Sequence, residues 1–399
     1  KSLCQTSPPA SRVRLGGMMY RLAVAPALAL SLFVPTMGLS APAAGVARTV
    51  SRLEKPPRLP VWPVVNGLFA TALDLVGLGD AAAYVEDSWG GRVAPMMLDV
   101  NEADPFVLLV HHRHAFDAWD PIRPLFRLLL PEGAHRRGVR FPSAPVGFPA
   151  HPHVGFETVT MTLKGGLAHR DSTGLAQQYG DGDVQWLTAA SGVLHEEMWL
   201  PTPGARDCEL YQLWLNLPAA RKKDAPKAEV LRAADLETRQ PSKGVEERRL
   251  GGDLGAFTGV SAGAKRDDAL CARVFIAAGA AYEVAVPQTA TALVYVRKGH
   301  VIIEGTAVPR HHLAYTDRRG EVLRVENAGD EESEVLVLCA LPLREPVVAS
   351  GTWVVTSQKD VAEADRDYQQ GKFGTPWPHT LSDEEWQRHT RSGAGGRGV

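Results

Sequence analysis

Short apolar runs, separated by glycine, proline or aspartate, dominate this chain from about residue 92 to residue 350. Clear examples are FETVTMTL (156–163), ELYQLWLNLP (209–218), ALVYVRKG (292–299) and EVLVLCALP (334–342). Runs of this kind with turn residues between them predict an all-β sandwich or barrel. Helical spacing returns at residues 357–374, where Ser357 is of a type that caps helices and Val361 and Tyr368 form an apolar side.

Two parts of this β-rich region share one pattern. VTMTLKGGLAHRDSTG (159–174) and LVYVRKGHVIIEGTAV (293–308) both read as strand, Lys-Gly turn, strand. The polar interval 222–244, which is broken by prolines, lies between them and predicts a connector. The order indicates a duplicated β-barrel.

The first 90 residues have a different pattern. Residues 18–48 begin with two methionines, contain an apolar run from Leu22 to Val34 and end in small residues, which is the order of a targeting sequence. Four basic residues follow with one acid, as in a transit peptide: Arg48, Arg52, Lys55 and Arg58, with Glu54. We expect a leader that directs the protein to a plastid. The alternative is a disordered extension on a cytoplasmic or nuclear protein. The apolar run is shorter than the roughly 20 residues of a membrane-spanning helix, so no transmembrane span is expected.

Two pairs of metal-binding residue types occupy strand positions with one residue between the members. His151 and His153 lie in FPAHPHVGFETVT (148–160), and His195 and Glu197 lie in VLHEEM (193–198). Alternate side chains of a strand point to the same face, so each pair projects in one direction. His151 and His153 are therefore expected to share a face with Gly155, Glu157, Val159, Met161 and Leu163. Val154, Phe156 and threonines 158, 160 and 162 are expected to face the other way.

These two pairs can build a metal site. If both faces line one barrel, three imidazoles and one carboxylate converge. Such donors fill four positions of a six-coordinate divalent metal and leave two open, which suits iron, manganese, nickel or copper. Surface or hydrogen-bonded histidines are the alternative, because 13 histidines produce some chance pairs. The second pair in a matching strand context favours the metal site.

A family resemblance rests on five segments: FPAHPHVGFETVT, HRDSTG, GDVQWLTAASGVLHEEM, YQLWLNLP and LREPVV. Together they resemble the pirin family, a branch of the bicupins, from about Asp104 to Gly374. The resemblance implies an all-β fold of two stacked cupin double-stranded β-barrels. It also implies one metal, usually Fe(II), held in the first barrel by His151, His153, His195 and Glu197. The second barrel is expected to be metal-free.

The chain is divided accordingly. We expect a leader or disordered segment at 1–60, a linker or short amphipathic helix at 61–91, and the metal-binding barrel at 92–235. The second barrel is expected at 236–350, followed by a C-terminal helix and disordered tail at 351–399.

The resemblance implies activity like that of quercetin 2,4-dioxygenases, which use dioxygen to cleave the central ring of a flavonol and release carbon monoxide. An ionised flavonol hydroxyl suits a centre of net charge about +1, which three neutral imidazoles, one carboxylate and a divalent ion produce. Glu197 is the catalytic candidate, as ligand and as base. A redox-sensing partner of transcription proteins and a metal-bearing scaffold without turnover stay open. Net charge is −2 with only scattered basic pairs, so direct nucleic-acid binding is not expected.

Other residues receive structural interpretations. Cys208, Cys271 and Cys339 are expected to be structural thiols. His112 and His114 are expected to be solvated or packed, and His169 to border the pocket or hold a turn together with Asp171.

The chain also departs from the pirin pattern. Pirins commonly carry arginine where this chain has Val154, which predicts the loss of a positive charge near the site mouth. Glu157 is expected to lie behind the metal ligands or in the pocket wall. The inserted residues 111–147 are expected to form a loop beside the pocket, so the substrate preference of the family is not carried over.

Overall fold

The computed structural model describes residues 45–56, 64–79, 81–82, 84–85, 92–115, 147–200, 202, 207–251 and 269–374. Most of these residues lie in β-strands, which confirms the all-β prediction. Residues 1–44, most of the 111–147 insertion and residues 375–399 lie outside the described ranges, so the predictions for them stay predictions.

The first barrel is built from antiparallel strands in two sheets. Its strands are β2 (Arg92–Met97), β3 (Phe106–Ala115), β4 (Gly147–His153), β5 (Phe156–Lys164), β6 (Gly166–Asp171), β7 (Ala176–Gly180), β8 (Val184–Thr188), β9 (Val193–Leu200), β10 (Asp207–Asn216) and β11 (Lys227–Leu231). The larger sheet has the order β11-β8-β5-β10-β3-β2, and the smaller has the order β4-β9-β6-β7. The smaller sheet carries both pairs of candidate ligands.

The second barrel also has a large and a small sheet. Its strands are β1 (Val50–Glu54), β12 (Glu237–Arg239), β13 (Val245–Gly251), β14 (Ala269–Ile276), β15 (Ala281–Ala285), β16 (Thr291–Lys298), β17 (Val301–Ile303), β18 (Thr306–Val308), β19 (Leu313–Thr316), β20 (Val322–Asn327) and β21 (Ser333–Ala340). The large sheet has the order β1-β19-β16-β21-β14-β13-β12, and the small one has the order β15-β20-β17-β18.

The large sheets of the two barrels pack against each other through a shared apolar core. Val159 and Met161 of β5 belong to the same buried cluster as Tyr295 of β16 and Leu336 of β21. Burying apolar area of this extent is the dominant favourable contribution to folding. The barrels are therefore stacked, as the resemblance implied.

The predicted repeat has a structural counterpart in two turns. Gly165 joins β5 to β6 with φ +65°, and Gly299 joins β16 to β17 with φ +73°. A Cβ atom would lie 2.4 Å from Cys208 Sγ at the first position and 2.1 Å from Ser333 Oγ at the second. Both turns thus need glycine for its left-handed conformation and for its lack of a side chain.

The predicted leader extends too far along the chain. Residues 50–54 form β1, which pairs with β19 of the second barrel. Arg48 is fully buried and donates hydrogen bonds to the carbonyl oxygens of Pro287, Ala290 and Gly320. The Arg52 guanidinium lies 3.8 Å from the ring centre of Tyr315. These arginines stabilise the fold, so the transit-peptide interpretation of residues 48–54 is wrong.

The predicted connector at 222–244 also contains strands. β11 pairs with β8 of the first barrel, and β12 pairs with β13 of the second. Each barrel therefore continues into this interval as an edge strand of its large sheet.

The helices are few and short in the described part of the chain: α1 (Val64–Leu75), α2 (Val100–Ala103) and α3 (Gln358–Gln369). Helix α1 lies inside residues 61–91, where a linker or short amphipathic helix is expected. No described helix combines the length and hydropathy needed to span a membrane.

The C-terminal segment returns to the first barrel. It consists of the hairpin β22 (Val348–Ser350) and β23 (Trp353–Val355), followed by α3. The Ser357 hydroxyl oxygen accepts a hydrogen bond from the backbone N–H of Asp360 at 3.2 Å, which confirms the predicted helix cap. Trp353 and Phe373 then pack on Leu194 of β9, beside the candidate ligands.

Candidate metal centre

The three histidines converge where β4 pairs with β9. The Cα atoms of His151 and His195 are direct partners across the two strands. Ring centroids lie 4.3 Å apart for His151 and His195, and 4.8 Å apart for His153 and each of the other two. One nitrogen of each ring lies within 4.8 Å of the others. The sequence prediction that these three imidazoles share a point therefore agrees with the geometry.

Burial leaves the nitrogens of this group without protein partners. His195 is fully buried, and neither of its ring nitrogens has a hydrogen-bond partner among the described residues. The same holds for His153, whose ring faces the Thr352 backbone without a hydrogen bond of good geometry. A buried polar atom without a partner costs roughly 1–3 kcal/mol, so an unfilled interaction is indicated at both rings.

Burial also keeps these rings neutral. Desolvation, and next the adjacent His151 ring, hold the pKa of His153 and of His195 well below the ordinary histidine value. Neutral imidazole is the form that binds metals.

The third ring, that of His151, has a defined tautomer. Its Nδ1 lies 2.8 Å from the carbonyl oxygen of Pro149, which can only accept a hydrogen bond. Nδ1 is therefore the donor, and Nε2 carries the lone pair that a metal would use.

Glu197 lies beside His195 in a second group of candidate ligands. One atom each of His169, His195 and Glu197 lie within 4.8 Å of one another, and all three residues are buried. The four predicted ligands are thus spread over two overlapping groups that share His195. The structure adds His169, which the sequence left between a pocket position and a turn.

Three side chains of the first barrel hold the carboxylate of Glu197. The Tyr179 hydroxyl donates to Oε1 at 2.9 Å, and Gln212 Nε2 donates to Oε2 at 3.2 Å. Thr160 Oγ1 lies 3.5 Å from Oε1. Burial, and next the Glu197 carboxylate, raise the pKa of Tyr179 well above its ordinary value, so Tyr179 stays a hydrogen-bond donor. The carboxylate is therefore oriented within the barrel.

Of the contacts from Gln212 and Tyr179, the sequence could have supplied the first but not the second. Gln212 lies in the YQLWLNLP segment that supports the family resemblance, so its proximity to the site was open to inference. Tyr179 reaches Glu197 from β7, which does not neighbour β9 in the sheet. Nothing in its local sequence indicates that contact.

Aromatic side chains border the histidine group on one side. The rings of Phe156 and Trp214 lie 4.5 Å apart, and each lies beside the His153 ring, at 5.1 Å and 5.4 Å. Trp214 Nε1 donates to Oε1 of Gln212 at 3.3 Å, which fixes the orientation of the amide that faces Glu197. The aromatic pair is therefore linked to the Glu197 carboxylate through Gln212.

The predicted alternation of faces is wrong beyond His153. Strand β4 ends there, and Gly155, with φ +87°, leads into β5, which belongs to the other sheet. A Cβ atom at Gly155 would lie 2.0 Å from the carbonyl oxygen of Val354. Across this corner the order of faces reverses, so Thr160 points into the barrel and Val159 points into the core between the barrels.

Two further expectations fail at the same corner. Glu157 shares the face of Val159, outside the barrel interior, and accepts a hydrogen bond from Thr188 Oγ1 at 2.8 Å. It is not part of a pocket wall around the histidines. Val154 is 7% exposed and packs with Trp353 and Leu194 rather than at a site mouth. An arginine at position 154 would have to fit into this apolar cluster.

His112, His114 and the three thiols among the described residues have structural roles. His112 packs edge-on against Trp199 at 5.0 Å, and His114 stacks on the same ring at 5.8 Å. Burial lowers their pKa values to about 3 and about 4, so the packing interpretation is confirmed and the solvated one is wrong. Cys208 is a buried free thiol, and desolvation raises its pKa to about 12, which fits a structural role. Cys271 and Cys339 are also free thiols in the core.

The fold and this histidine group define a bicupin with a candidate metal centre in its first barrel. Comparison with known proteins gives the family. A family model described as Pirin matches residues 126–215, and one described as Pirin C-terminal cupin domain matches residues 271–374. The chain belongs to the pirin family.

Similarity to individual proteins agrees with this assignment. Pirin-1 of Arabidopsis thaliana is 34% identical over 238 residues, which cover 58% of this chain and 80% of that protein. A Pseudomonas aeruginosa protein named "Putative quercetin 2,3-dioxygenase" is 34% identical over 248 residues, which cover 61% and 82%. The solved structure of quercetin 2,3-dioxygenase from Acinetobacter baumannii matches with a TM-score of 0.61 at 24% identity, covering 83% of this chain and 100% of that one. The last comparison supports the fold.

Proposed function

We propose that this protein is a metal-dependent dioxygenase that cleaves flavonols of the quercetin type. The metal would be held by His151, His153, His195 and Glu197, with Fe(II) as the favoured ion, while copper, manganese and nickel suit the same donors. The observation that carries the proposal is the group of three convergent imidazoles, two of them buried with no hydrogen-bond partner on either ring nitrogen within the described ranges. The similarity to the Pseudomonas aeruginosa protein supports the substrate class.

The residues around the centre fit the proposed chemistry. A divalent metal bound there would supply Lewis acidity towards an ionised hydroxyl and an electron path between substrate and dioxygen. Glu197 would accept the proton of the flavonol hydroxyl as general base. Tyr179 and Gln212 each donate to one oxygen of that carboxylate, which keeps it directed towards the interior of the barrel. Phe156 and Trp214 would offer a flat apolar wall to an aromatic ring beside His153.

An oxygen electrode tests this proposal. The full chain loaded with iron or copper should consume dioxygen when quercetin is added. Glu197→Gln should lower turnover about 10²- to 10⁴-fold, the usual contribution of a general base, while the circular dichroism spectrum stays unchanged. Glu157→Gln is the matched control. It removes the charge of a carboxylate that is buried like that of Glu197 but lies on the face of β5 that points away from the barrel interior. Turnover in that variant should stay close to the wild-type level.

The contrary outcome is equally specific. Oxygen uptake no faster than in the metal-free protein, across several metals and flavonols, would reject the enzyme function. Equal losses in both glutamate variants would reject the role of Glu197.

We also propose that the protein is directed to a plastid, on the strength of the two methionines, the apolar run Leu22 to Val34 and the small residues after it. The test should use residues 18–44 alone, because Arg48 and β1 belong to the folded second barrel. A fluorescent reporter that carries this segment should leave the cytosol of plant cells. Diffuse cytosolic fluorescence would refute the targeting proposal and leave the dioxygenase proposal untouched.

A further inference from the structure

A buried lysine holds the corner of the chain that follows His153. Lys222, in the segment after β10, is 6% exposed. Its Nζ donates hydrogen bonds to the carbonyl oxygens of Gly155 and Val354, at 2.6 Å and 2.9 Å, and to Asn216 Oδ1. An ammonium group has three N–H bonds and no lone pair, so these three acceptors match its donors one to one. The side chain therefore ties three separate segments to one point.

Each tied segment also carries an aromatic residue of the region around the histidine group. These residues lie within two positions of the oxygen that Lys222 binds: Phe156, Trp214 and Trp353. The rings of Phe156 and Trp214 lie beside that of His153, at 5.1 Å and 5.4 Å. Trp353 packs on Leu194 of β9. The ammonium group therefore joins the chain segments that enclose one side of the candidate metal centre.

The link to this centre is shortest at the corner between β4 and β5. His153 ends β4, and Gly155 directly precedes β5. The Gly155 carbonyl that accepts from Lys222 belongs to the peptide group through which β5 begins. The carbonyl oxygen of Val154 accepts the N–H of Val354 at 2.9 Å. Two successive carbonyl groups after His153 are therefore fixed, one by the C-terminal hairpin and the next by the ammonium group.

We propose that Lys222 is a positioning residue for the metal centre, whose ammonium group fixes the corner that sets the direction of the His153 ring. This inference rests on the proposed function, because it concerns the metal assigned to the same centre. An apolar side chain in place of Lys222 would leave three buried oxygen atoms without their donor, which costs free energy at each. The corner would then move to satisfy them, and the His153 ring would move with it.

Cobalt(II) provides a test that does not depend on turnover, because its visible absorption changes with the geometry of its donors. The full chain should be titrated with Co(II) alongside Lys222→Met, which keeps the length of the side chain but has no donor. Folded Lys222→Met should bind cobalt about tenfold more weakly, with visible bands shifted from those of the wild type.

Lys223→Met is the matched control. It replaces the neighbouring lysine, whose side chain is 69% exposed and pairs with Glu363 at 2.9 Å. Its cobalt spectrum and affinity should match those of the wild type.

Chemical rescue provides a second test, which also covers the case in which Lys222→Met fails to fold. Lys222→Ala removes the part of the side chain that a propylammonium ion can replace. The variant should be purified with propylammonium at about pH 7, where the amine is protonated. Exchange of propylammonium for potassium at equal ionic strength should weaken cobalt binding about tenfold, and returning the amine should restore the wild-type bands. The wild-type spectrum should not respond to the exchange.

Three outcomes are distinguishable. A wild-type cobalt spectrum and affinity in folded Lys222→Met, even with a lower midpoint of urea denaturation, would leave Lys222 a structural role only and overturn the proposal. Failure of propylammonium to restore cobalt binding in Lys222→Ala would overturn it as well, and in both cases the centre of the wild type stands. A wild-type chain that binds no cobalt would instead overturn the metal centre, and with it the proposed function and the role of Lys222.

Discussion

Strands β5 and β16 occupy equivalent places in the two barrels. The side chains in which they differ distinguish the requirements of the fold from those of a functional site. Each pairs with a long neighbouring strand, β10 or β21, and each ends in a Lys-Gly turn. Towards the other barrel both present apolar side chains: Val159 and Met161 in β5, and Leu293 and Tyr295 in β16, all in one cluster. On this face the two strands carry side chains of the same kind, all of them buried and apolar.

The opposite faces, which line the barrel interiors, differ. In β16 this face carries Ala292, Val294 and Val296, which belong to a buried cluster made almost entirely of aliphatic side chains. In β5 the corresponding positions are threonines 158, 160 and 162, all buried. Threonine and valine have nearly the same shape but differ by a hydroxyl in place of a methyl group. The first barrel therefore keeps the size of its interior side chains while it gains hydrogen-bonding groups.

The second barrel shows that this fold closes around an apolar interior. Polar groups inside the first barrel are consequently not required for folding, and each one costs free energy unless it is hydrogen-bonded. Tyr179 and Gln212 donate hydrogen bonds to Glu197, whereas the ring nitrogens of His153 and His195 have no hydrogen-bond partner in the part of the chain that the structure describes. A metal ion bound as proposed would supply the interaction that these nitrogens lack among the described residues.

The largest effect should come from removing one of the converging imidazoles. The purified full chain should hold about one metal ion, and His153→Ala should lower this to near zero by elemental analysis. His311→Ala is the control, because His311 is a buried histidine of the second barrel. Its metal content should stay at the wild-type value. Two metal ions per wild-type chain would contradict the contrast between the barrels.

A smaller effect is expected on the acid side of the stability profile. His112 and His114, which lie in the first barrel, have folded-state pKa values of about 3 and about 4, below the unfolded value of 6.5, because burial disfavours their charged form. Their contribution to stability is therefore complete above about pH 6.5 and is lost as the pH falls towards those values. Each of these two histidines should lower the free energy of unfolding by about 1.4 kcal/mol for every unit by which the pH falls within that window.

Urea denaturation of the metal-free protein between about pH 7 and pH 5 measures this slope. His112→Phe keeps the ring contact with Trp199. In this variant the slope should be smaller by about 1.4 kcal/mol per pH unit, the contribution of one proton. An unchanged slope would show that His112 does not stay neutral in the folded protein.

The smallest change in stability is expected when a single hydroxyl group is added to the interior of the second barrel or removed from that of the first. Val294→Thr places that group in the apolar second barrel and should lower the free energy of unfolding by about 1–3 kcal/mol, the cost of a buried hydroxyl without a partner. The reciprocal variant, Thr160→Val, removes weak contacts to Gln212 and Glu197 at 3.4 Å and 3.5 Å, so it should cost only about 0.5–1.5 kcal/mol. Equal losses in thermal or urea denaturation would mean that the interiors are chemically alike.

Much of the fold was open to prediction because its signals are local. Alternating β-branched and aromatic residues between turn residues located β5, β10, β16 and β21 to within a few positions. A side-chain hydrogen bond three residues along the chain was enough to predict the cap at Ser357. The convergence of His151 with His153 and of His195 with Glu197 needed only the two-residue period of a strand.

Other features depend on where distant segments meet, so the sequence could not supply them. At the corner formed by Gly155, the carbonyl oxygen of Val354, about 200 residues further along the chain, leaves no room for a side chain, and that corner reverses the order of faces in β5. In the sequence, residues 50–54 resemble the basic stretch of a leader. In the structure they form β1, which is hydrogen-bonded to β19.

The sequence by itself determined the all-β class, the two-barrel repeat and the residue types of the candidate metal centre. Tertiary structure decided which side chains surround that centre, because strand pairing brings His169 opposite Glu197 and barrel closure brings Tyr179 to its carboxylate. The physical reason is that side-chain direction is fixed locally within one strand, whereas proximity between strands is fixed by pairing and packing across the whole chain.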